Sequence, residues 1–386
     1  MGQSTVKRLW RQKREFKGVA MQGTHPRLAK ISPVSAAIFS DLHLGLASGR
    51  DLLRRPPVLD ALLGAIGDVD EIVLLGDLVE LRERPVAHVL SDAVPVLRRI
   101  GEVAAGKRIT IVPGNHDHQL AAPLVEAVRM RDGGGVLEIE TFFDPPREGP
   151  LGAIADALGR DGVRLAYPGL WLRPDVYATH GHYLDVHNTV PTFERIAIGA
   201  VQRVGTALPD DRPLTPEDYE AAVGPVYALT FAMAQSARRG GRSVAGSQTS
   251  VRLWKLFNGS GARRLPALLF GSVALPAAIA GLNRAGLGPL KPDLSAIELR
   301  EAGLRGMRTM IERLGIEADH VIFGHTHRSG PHERDEGWGP LMNTGSWILE
   351  PACLGREPKE SPYWPGHVAL VPDQGAPELV TLLEDL

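Results

Sequence analysis

Val112-Pro113-Gly114-Asn115-His116-Asp117 is the stretch on which the reading of this chain turns. An apolar run from Ile109 to Val112 leads into it. Pro-Gly then ends a strand and opens a tight turn. Three chemically useful side chains follow. Asn115 offers an amide oxygen, and His116 a proton donor or acceptor near neutral pH. Asp117 is read two ways, as the carboxylate that orients the His116 ring or as a cap of the turn itself. Taken alone, such a turn has ordinary loop composition. What gives it weight is that four more apolar runs end in clusters of the same kind.

The first run, 36–39, ends at Ser40-Asp41-Leu42-His43. Alternation would place Asp41 and His43 on one face if the strand continued through them. The second, 71–75, ends at Gly76-Asp77, and a later one, 176–179, ends at His180-Gly181-His182. The last, 320–323, ends at Gly324-His325-Thr326-His327. Between the early runs, Leu59, Leu62, Leu63 and Ile66 keep helical spacing, and a second helix is expected from about Pro85 to Arg99. Strand and helix alternate, which predicts an α/β fold with a largely parallel, buried sheet. In such sheets, sites form beyond the carboxyl ends of the strands. Residues 131–173 are Gly- and Pro-rich and are read as a further helix and an antiparallel strand. Three more runs, 341–346, 367–371 and 378–382, read as closing strands.

Asp41, His43, Asp77, Asn115, His180, His325 and His327 together supply oxygen and imidazole ligands and no thiolate. That set suits Mn, Fe or Zn and not a structural cysteine-zinc site. Seven ligands are too many for one ion. They fit two divalent metal ions sharing one carboxylate, with Mn the leading expectation.

In this order, Asp-x-His, Gly-Asp, Gly-Asn-His-Asp, His-Gly-His and Gly-His-Thr-His resemble the motifs of the calcineurin-like metallophosphoesterase family. The resemblance implies a four-layer αββα sandwich of two mixed sheets, here with a helical cap insertion. It implies that Asp41, His43 and His327 hold one ion and that Asn115, His180 and His325 hold the other. Asp77 would bridge them, and His182 is the alternative to His180. His116 would protonate the leaving group, with Asp117 fixing its tautomer. The implied reaction is hydrolysis of a phosphodiester or pyrophosphate. Within the family, Phe39-Ser40-Asp41-Leu42-His43-Leu44-Gly45 and Thr179-His180-Gly181-His182 are most similar to UDP-diacylglucosamine hydrolases. Those carry a helical lid between the fourth and fifth motifs and usually have Arg where His116 stands. That departure separates this chain from their specific substrate and leaves phosphoester or pyrophosphate cleavage, with a lipid-linked or nucleotide-sugar molecule as the substrate class the resemblance implies. The alternatives are a soluble nucleotide phosphodiesterase or nuclease, and a metal-binding scaffold without catalysis.

Composition bounds the rest. A formal net charge of −2 over 386 residues excludes a chain that is basic or acidic as a whole. Cys353 is the only cysteine, which rules out an intramolecular disulfide and fits a reducing, cytoplasmic compartment. No apolar run follows the basic residues at the start, so no leader peptide is expected. The expected division is a basic tail at 1–30, a core in two parts at 31–187 and 305–386, and a helical cap insertion at 188–304. Within the cap, 235–292 holds nine Lys and Arg and no acid. Inside that span 265–282 is uncharged, about 18 residues, close to the lower limit for a membrane span. A span would part His325 and His327 from Asp41 and Asp77. Two readings remain: a buried lid helix, or a basic apolar lid resting on an anionic membrane at its inner face and admitting a lipid-like substrate. Nucleic acid is not an expected partner, because few aromatics are interleaved with the cations.

Overall fold

The computed structural model describes residues 34–131, 134–205, 207–236, 275–293, 295–332 and 340–384. The expected basic tail and most of the acid-free span lie outside them.

Strands form where aliphatic residues run unbroken. β1 (Val34–Phe39), β2 (Glu71–Leu75) and β3 (Arg108–Val112) lie parallel side by side. Their crossovers are α1 (Pro56–Ala65) and α2 (Val86–Val103). The chain then passes through α3 (Ala122–Arg129), β4 (Glu140–Phe143) and α4 (Gly149–Ala157) into β5 (Val163–Arg173). Its first residues pair with β3 in parallel, the middle ones with β4, and the last ones with β6 (Val176–Thr179), antiparallel. Beyond β6 come β7 (His320–Phe323) and β9 (Leu341–Asn343), both parallel, with β8 (Gly330–His332) at the edge. On the other side, β10 (His367–Pro372) returns antiparallel to β1 and carries β11 (Glu378–Thr381). The full order is β11-β10-β1-β2-β3-β5-β6-β7-β9-β8, with β4 on β5.

The buried side chains divide this path into two facing half-sheets. On β1, Ala37 and Phe39 face α1 and α2, while Ala36 and Ile38 face inward. On β2, Ile72 and Leu74 face the helices and Val73 and Leu75 face inward. The inward set is completed from the other half by Val176, Ala178 and Ile322. Those strands send Tyr177, Val321 and Phe323 outward against a second helical layer. Period-two alternation thus builds helix, sheet, sheet, helix. This is a mixed α/β fold consistent with the metallophosphoesterase sandwich. β5 belongs to both halves.

The second helical layer comes largely from the expected cap. It holds α5 (Phe193–Val204), α6 (Pro216–Ser236), α7 (Leu275–Arg284) and α8 (Ala296–Leu314). The hydroxyls of Thr192 and Ser295 accept the first free amides of α5 and α8, from Arg195 and Glu298. The division expected after 304 falls inside α8, which runs unbroken to a Gly315 in left-handed conformation. Tyr219, Val223, Val226 and Tyr227 of α6 are buried with Tyr177 and Phe323, so this helix packs onto the sheet and does not stand off it. In α7 only Ile279 is buried. Among the described residues no helix is long and apolar enough to cross a membrane.

Candidate active site

Six parallel strand ends meet at one rim. β1 delivers Asp41 and His43, β2 Asp77, β3 Asn115 and His116, β6 His180, β7 His325 and His327, and β9 Asn343 and Thr344. The two half-sheets are tied there directly. His180 Nδ1–H donates to Leu75 O at 2.9 Å, and the His325 amide donates to Asp41 Oδ2 at 3.1 Å.

The backbone at these ends is not extended. Asp41, His43, Asp77, His325 and His327 have φ of 56, 43, 51, 67 and 56°. Only Arg160 shares the left-handed region among the other described non-glycine residues. Asp41 and His43 therefore do not share a strand face, as alternation suggested. β1 stops at Phe39, and each side chain is aimed by a left-handed turn, a conformation costing about 1–3 kcal/mol where no glycine relieves it. Close approach also requires glycine. A Cβ on Gly76 would run into the His180 ring, and one on Gly114 would strike the Asp77 carboxylate.

All seven expected ligands converge. His43 Nε2 lies 3.2 Å from His327 Nε2 and 3.6 Å from Asp77 Oδ2, and His327 Nε2 is 3.1 Å from Asp41 Oδ1. On the other side of Asp77, His180 Nε2 is 3.4 Å from its Oδ2. Asn115 Oδ1 is 3.3 Å from His180 Nε2 and 3.1 Å from His325 Nδ1. Asp77 thus stands between the two groups. His182 does not join them. It is buried behind, against Tyr167 and Tyr183.

Three of these rings have their second nitrogen tied elsewhere. His43 Nδ1 is 3.0 Å from Glu80 Oε2, His180 Nδ1 is on Leu75 O, and His325 Nε2 is 3.1 Å from Asp185 Oδ1. Such ties set ring orientation and leave the other nitrogen for a cation. The remaining atoms make the same point. Asp41 Oδ1 is buried without a hydrogen-bond partner. Asn115 Oδ1 faces acceptors, whereas a rotated amide would give its oxygen to Arg82 Nη1 at 2.9 Å. Converging acceptors are stable only around positive charge, so the residues present fit divalent cations.

The local field favours positive charge at these rings, whether a proton or a cation supplies it. Burial disfavours ionisation of Asp77, but His180 and His116 outweigh it and hold the carboxyl well below the usual range. Burial likewise opposes charge on His43, yet Glu80, with Asp77, pushes its pKa up to about 9. For His180, Asp77 prevails over burial and pushes it up to about 10.

Asp117 is not placed on His116. Its Oδ1 accepts from Gly114 N at 2.7 Å, and its Oδ2 from Leu78 N at 2.7 Å and Val79 N at 3.3 Å. The carboxylate fastens the third motif to the second, which is the turn-holding reading. Burial first, then the charge of Asp77, raise its pKa to about 6. The acid beside His116 is Glu80, whose Oε2 lies 2.7 Å from His116 Nδ1, off the line of a straight hydrogen bond. One carboxylate therefore touches both His43 and His116. Sequence reading missed Glu80, Asp185 and Asn343. Glu80 stands three residues after Asp77 and Asp185 three after His182, and those offsets were the available signal. Asn343 Nδ2 donates to Gly324 O at 2.6 Å and Thr326 Oγ1 at 3.1 Å, fixing the Gly-His-Thr-His turn.

Above the rim opens a cleft of about 470 Å³, lined by Asn115, His116, His325 and His327. Its walls carry Leu46, Leu184, Leu299 and Ile348, with Glu83, Glu194 and Glu350 among the polar groups.

A mixed α/β sandwich whose strand ends gather carboxylates, imidazoles and an amide oxygen, with a half-buried histidine at the cleft floor, defines a metal-dependent hydrolase of phosphate esters. The calcineurin-like phosphoesterase family matches residues 35–245, more than half of the chain, and the chain belongs to it. It is a metallophosphoesterase. The match spans the first four motifs and ends before Gly-His-Thr-His. No curated protein matches the chain. Among solved structures, the phosphopantetheinyl hydrolase of Mycobacterium tuberculosis is similar over 89% of this chain and 98% of its own, at 14% identity and a TM-score of 0.33. A dimetal phosphatase from Danio rerio is similar over 92% and 100%, at 13% identity and a TM-score of 0.30. Likenesses of this size carry no argument about substrate.

Proposed function

We propose that the chain is a dinuclear metal-dependent phosphohydrolase that cleaves a phosphodiester or pyrophosphate bond in a substrate with an apolar part. The observation that carries this reading is the gathering of ligand atoms of Asp41, His43, Asp77 and His327 within 4.8 Å of one another, with His180, Asn115 and His325 linked in turn on the far side of Asp77. Asp41, His43 and His327 would hold one ion, Asn115, His180 and His325 the other, and Asp77 both. Bound there, the ions would neutralise phosphoryl oxygens and lower the pKa of the attacking water.

The chain's own residues do the rest. His116 faces the cleft and donates a proton to the leaving oxygen. Glu80 is kept ionised against its own burial by His116 and His43, and its carboxylate lies beside His116 Nδ1. Asp117 keeps the third motif in register with the second. Leu46, Leu184, Leu299 and Ile348 would take the apolar part of the substrate, which favours a lipid-linked or nucleotide-sugar molecule. The acid-free span at 235–292 would rest on an anionic membrane, as a peripheral protein of its inner face. Mn is the proposed metal, from the oxygen and imidazole set.

The test is metal analysis of the purified chain with hydrolysis of bis(p-nitrophenyl) phosphate, before and after chelation and Mn return. Two ions per chain and Mn-restored turnover are expected. Turnover unaffected by exhaustive chelation would overturn the proposal.

A further inference from the structure

Behind the metal-facing residues lies a second buried polar cluster that the reaction does not use. Its centre is Glu220, on α6, with only 4% of its surface exposed. Three donors from three other segments converge on its carboxylate. Tyr167 Oη and Tyr183 Oη donate to Oε1 at 2.5 and 2.7 Å, and His118 Nε2–H donates to Oε2 at 2.9 Å. His182 joins through Tyr167 Oη at 3.1 Å, and the Tyr227 ring lies against His118 and His182 at 5.2 and 5.7 Å. An unpaired buried carboxylate would be prohibitive, but three donors make this one stable.

Two of those donors hold the site's own turns. His118 follows Asn115 and His116 within the same turn. Tyr183 follows His180 by three residues in the next motif. Asn115 Oδ1 and His180 Nε2 stand 3.3 Å apart and belong to the same proposed ion site. Neither turn is set by that contact alone, because both also end on Glu220.

We infer that Glu220 is a positioning residue that fixes the separation of Asn115 and His180, so that α6 completes the second metal site from behind. The inference rests on the two-ion reading above. It separates the two sites: Asp41, His43 and His327 have no bond to Glu220, and their site is independent of it. Glutamate suits the site because all three groups donate to its carboxylate as it stands. Glutamine would turn an amide NH2 on one side, so that His118 or the tyrosine pair must give up its donor role and re-set its geometry.

The experiment titrates Mn into metal-stripped wild type, Glu220→Gln and Tyr183→Phe, with thermal melting alongside. Wild type should take up two ions. Glu220→Gln should keep one site at wild-type affinity and weaken the other about 10–100-fold, the usual size for a supporting group. Its turnover should return at saturating Mn, with KM near that of wild type. Tyr183→Phe removes one hydroxyl, remains folded, and should weaken the same site by less. If Glu220→Gln or Tyr183→Phe melts earlier while both sites keep wild-type affinity, Glu220 is structural only and the inference falls. Equal weakening of both sites overturns it as well. Wild type that binds no Mn would overturn the two-ion reading instead.

Discussion

His116 is the residue on which catalysis turns in this reading. It lines the cleft, has Glu80 beside its Nδ1, and is not one of the seven expected ligands. His116→Ala should therefore keep both ions and lose about 10²–10⁴-fold in turnover, the range of a lost general acid. The loss should shrink for esters with strongly acidic leaving groups, which need no proton. Equal loss with both kinds of ester would assign His116 to binding. Gly114 gives a second, sterically explicit case. A Cβ there would lie 2.7 Å from both the Asp77 amide and His180 Cδ2, and would strike the Asp77 carboxylate. Gly114→Ala should cost about 1–3 kcal/mol as overpacking does, and metal analysis should show fewer ions per chain. Wild-type metal content in the folded variant would show that the turn yields.

The elements show how far the sequence could be read. Apolar runs bounded by Gly and His located β2, β3, β6 and β7 within a residue or two, because buried parallel strands need such runs. Of 131–173, read as a helix and one antiparallel strand, the structure makes α4 and two strands, β4 and the long β5, whose Pro168 and Gly169 look like a loop. The motifs picked out the seven side chains that meet at the rim, yet not how they are aimed. Left-handed backbone at Asp41 and His43 leaves no periodic trace. Glu80 and Asp185 left only a weak trace in their offsets: an acid near a motif is common, and only the fold shows which imidazole it meets. Glu220 was hidden inside a helical pattern that reads as a lid. Burial opposes its charge, but His118 and the two tyrosines hold its pKa down to about 2. With the folded value below the unfolded one, its contribution is complete above about 4.5 and disappears as pH falls toward 2. Glu220→Gln should flatten the acid limb of a melting-temperature profile between those values. A limb as steep as in wild type would assign the acid transition to other carboxyls.

At the scale of the whole molecule, charge is distributed unevenly. A chain of net charge −2 keeps an acid-free, nine-cation span at 235–292. Sedimentation with anionic vesicles should carry the protein down at low salt. Binding should weaken as salt rises, since the screening length falls from about 10 Å at 0.1 M to about 3 Å at 1 M. Arg263→Glu with Arg264→Glu should reduce it, each cation near such a surface contributing about 1 kcal/mol. Protein that stays in the supernatant at low salt would make the span part of the lid's interior.

His43 and His327 lie 284 residues apart in sequence and 3.2 Å apart in space, and Asn115 and His325 lie 210 residues apart at 3.1 Å. An ion seated at either point closes a chain loop longer than most disulfides do, in a protein whose one cysteine permits no internal disulfide. These are reversible staples, fastened by mass action and not by a covalent bond. Each would add about 4 kcal/mol of stability with free metal at a thousand times its dissociation constant, and next to none in its absence. If two ions bind as proposed, the heat tolerance of this chain would rise and fall with its metal supply.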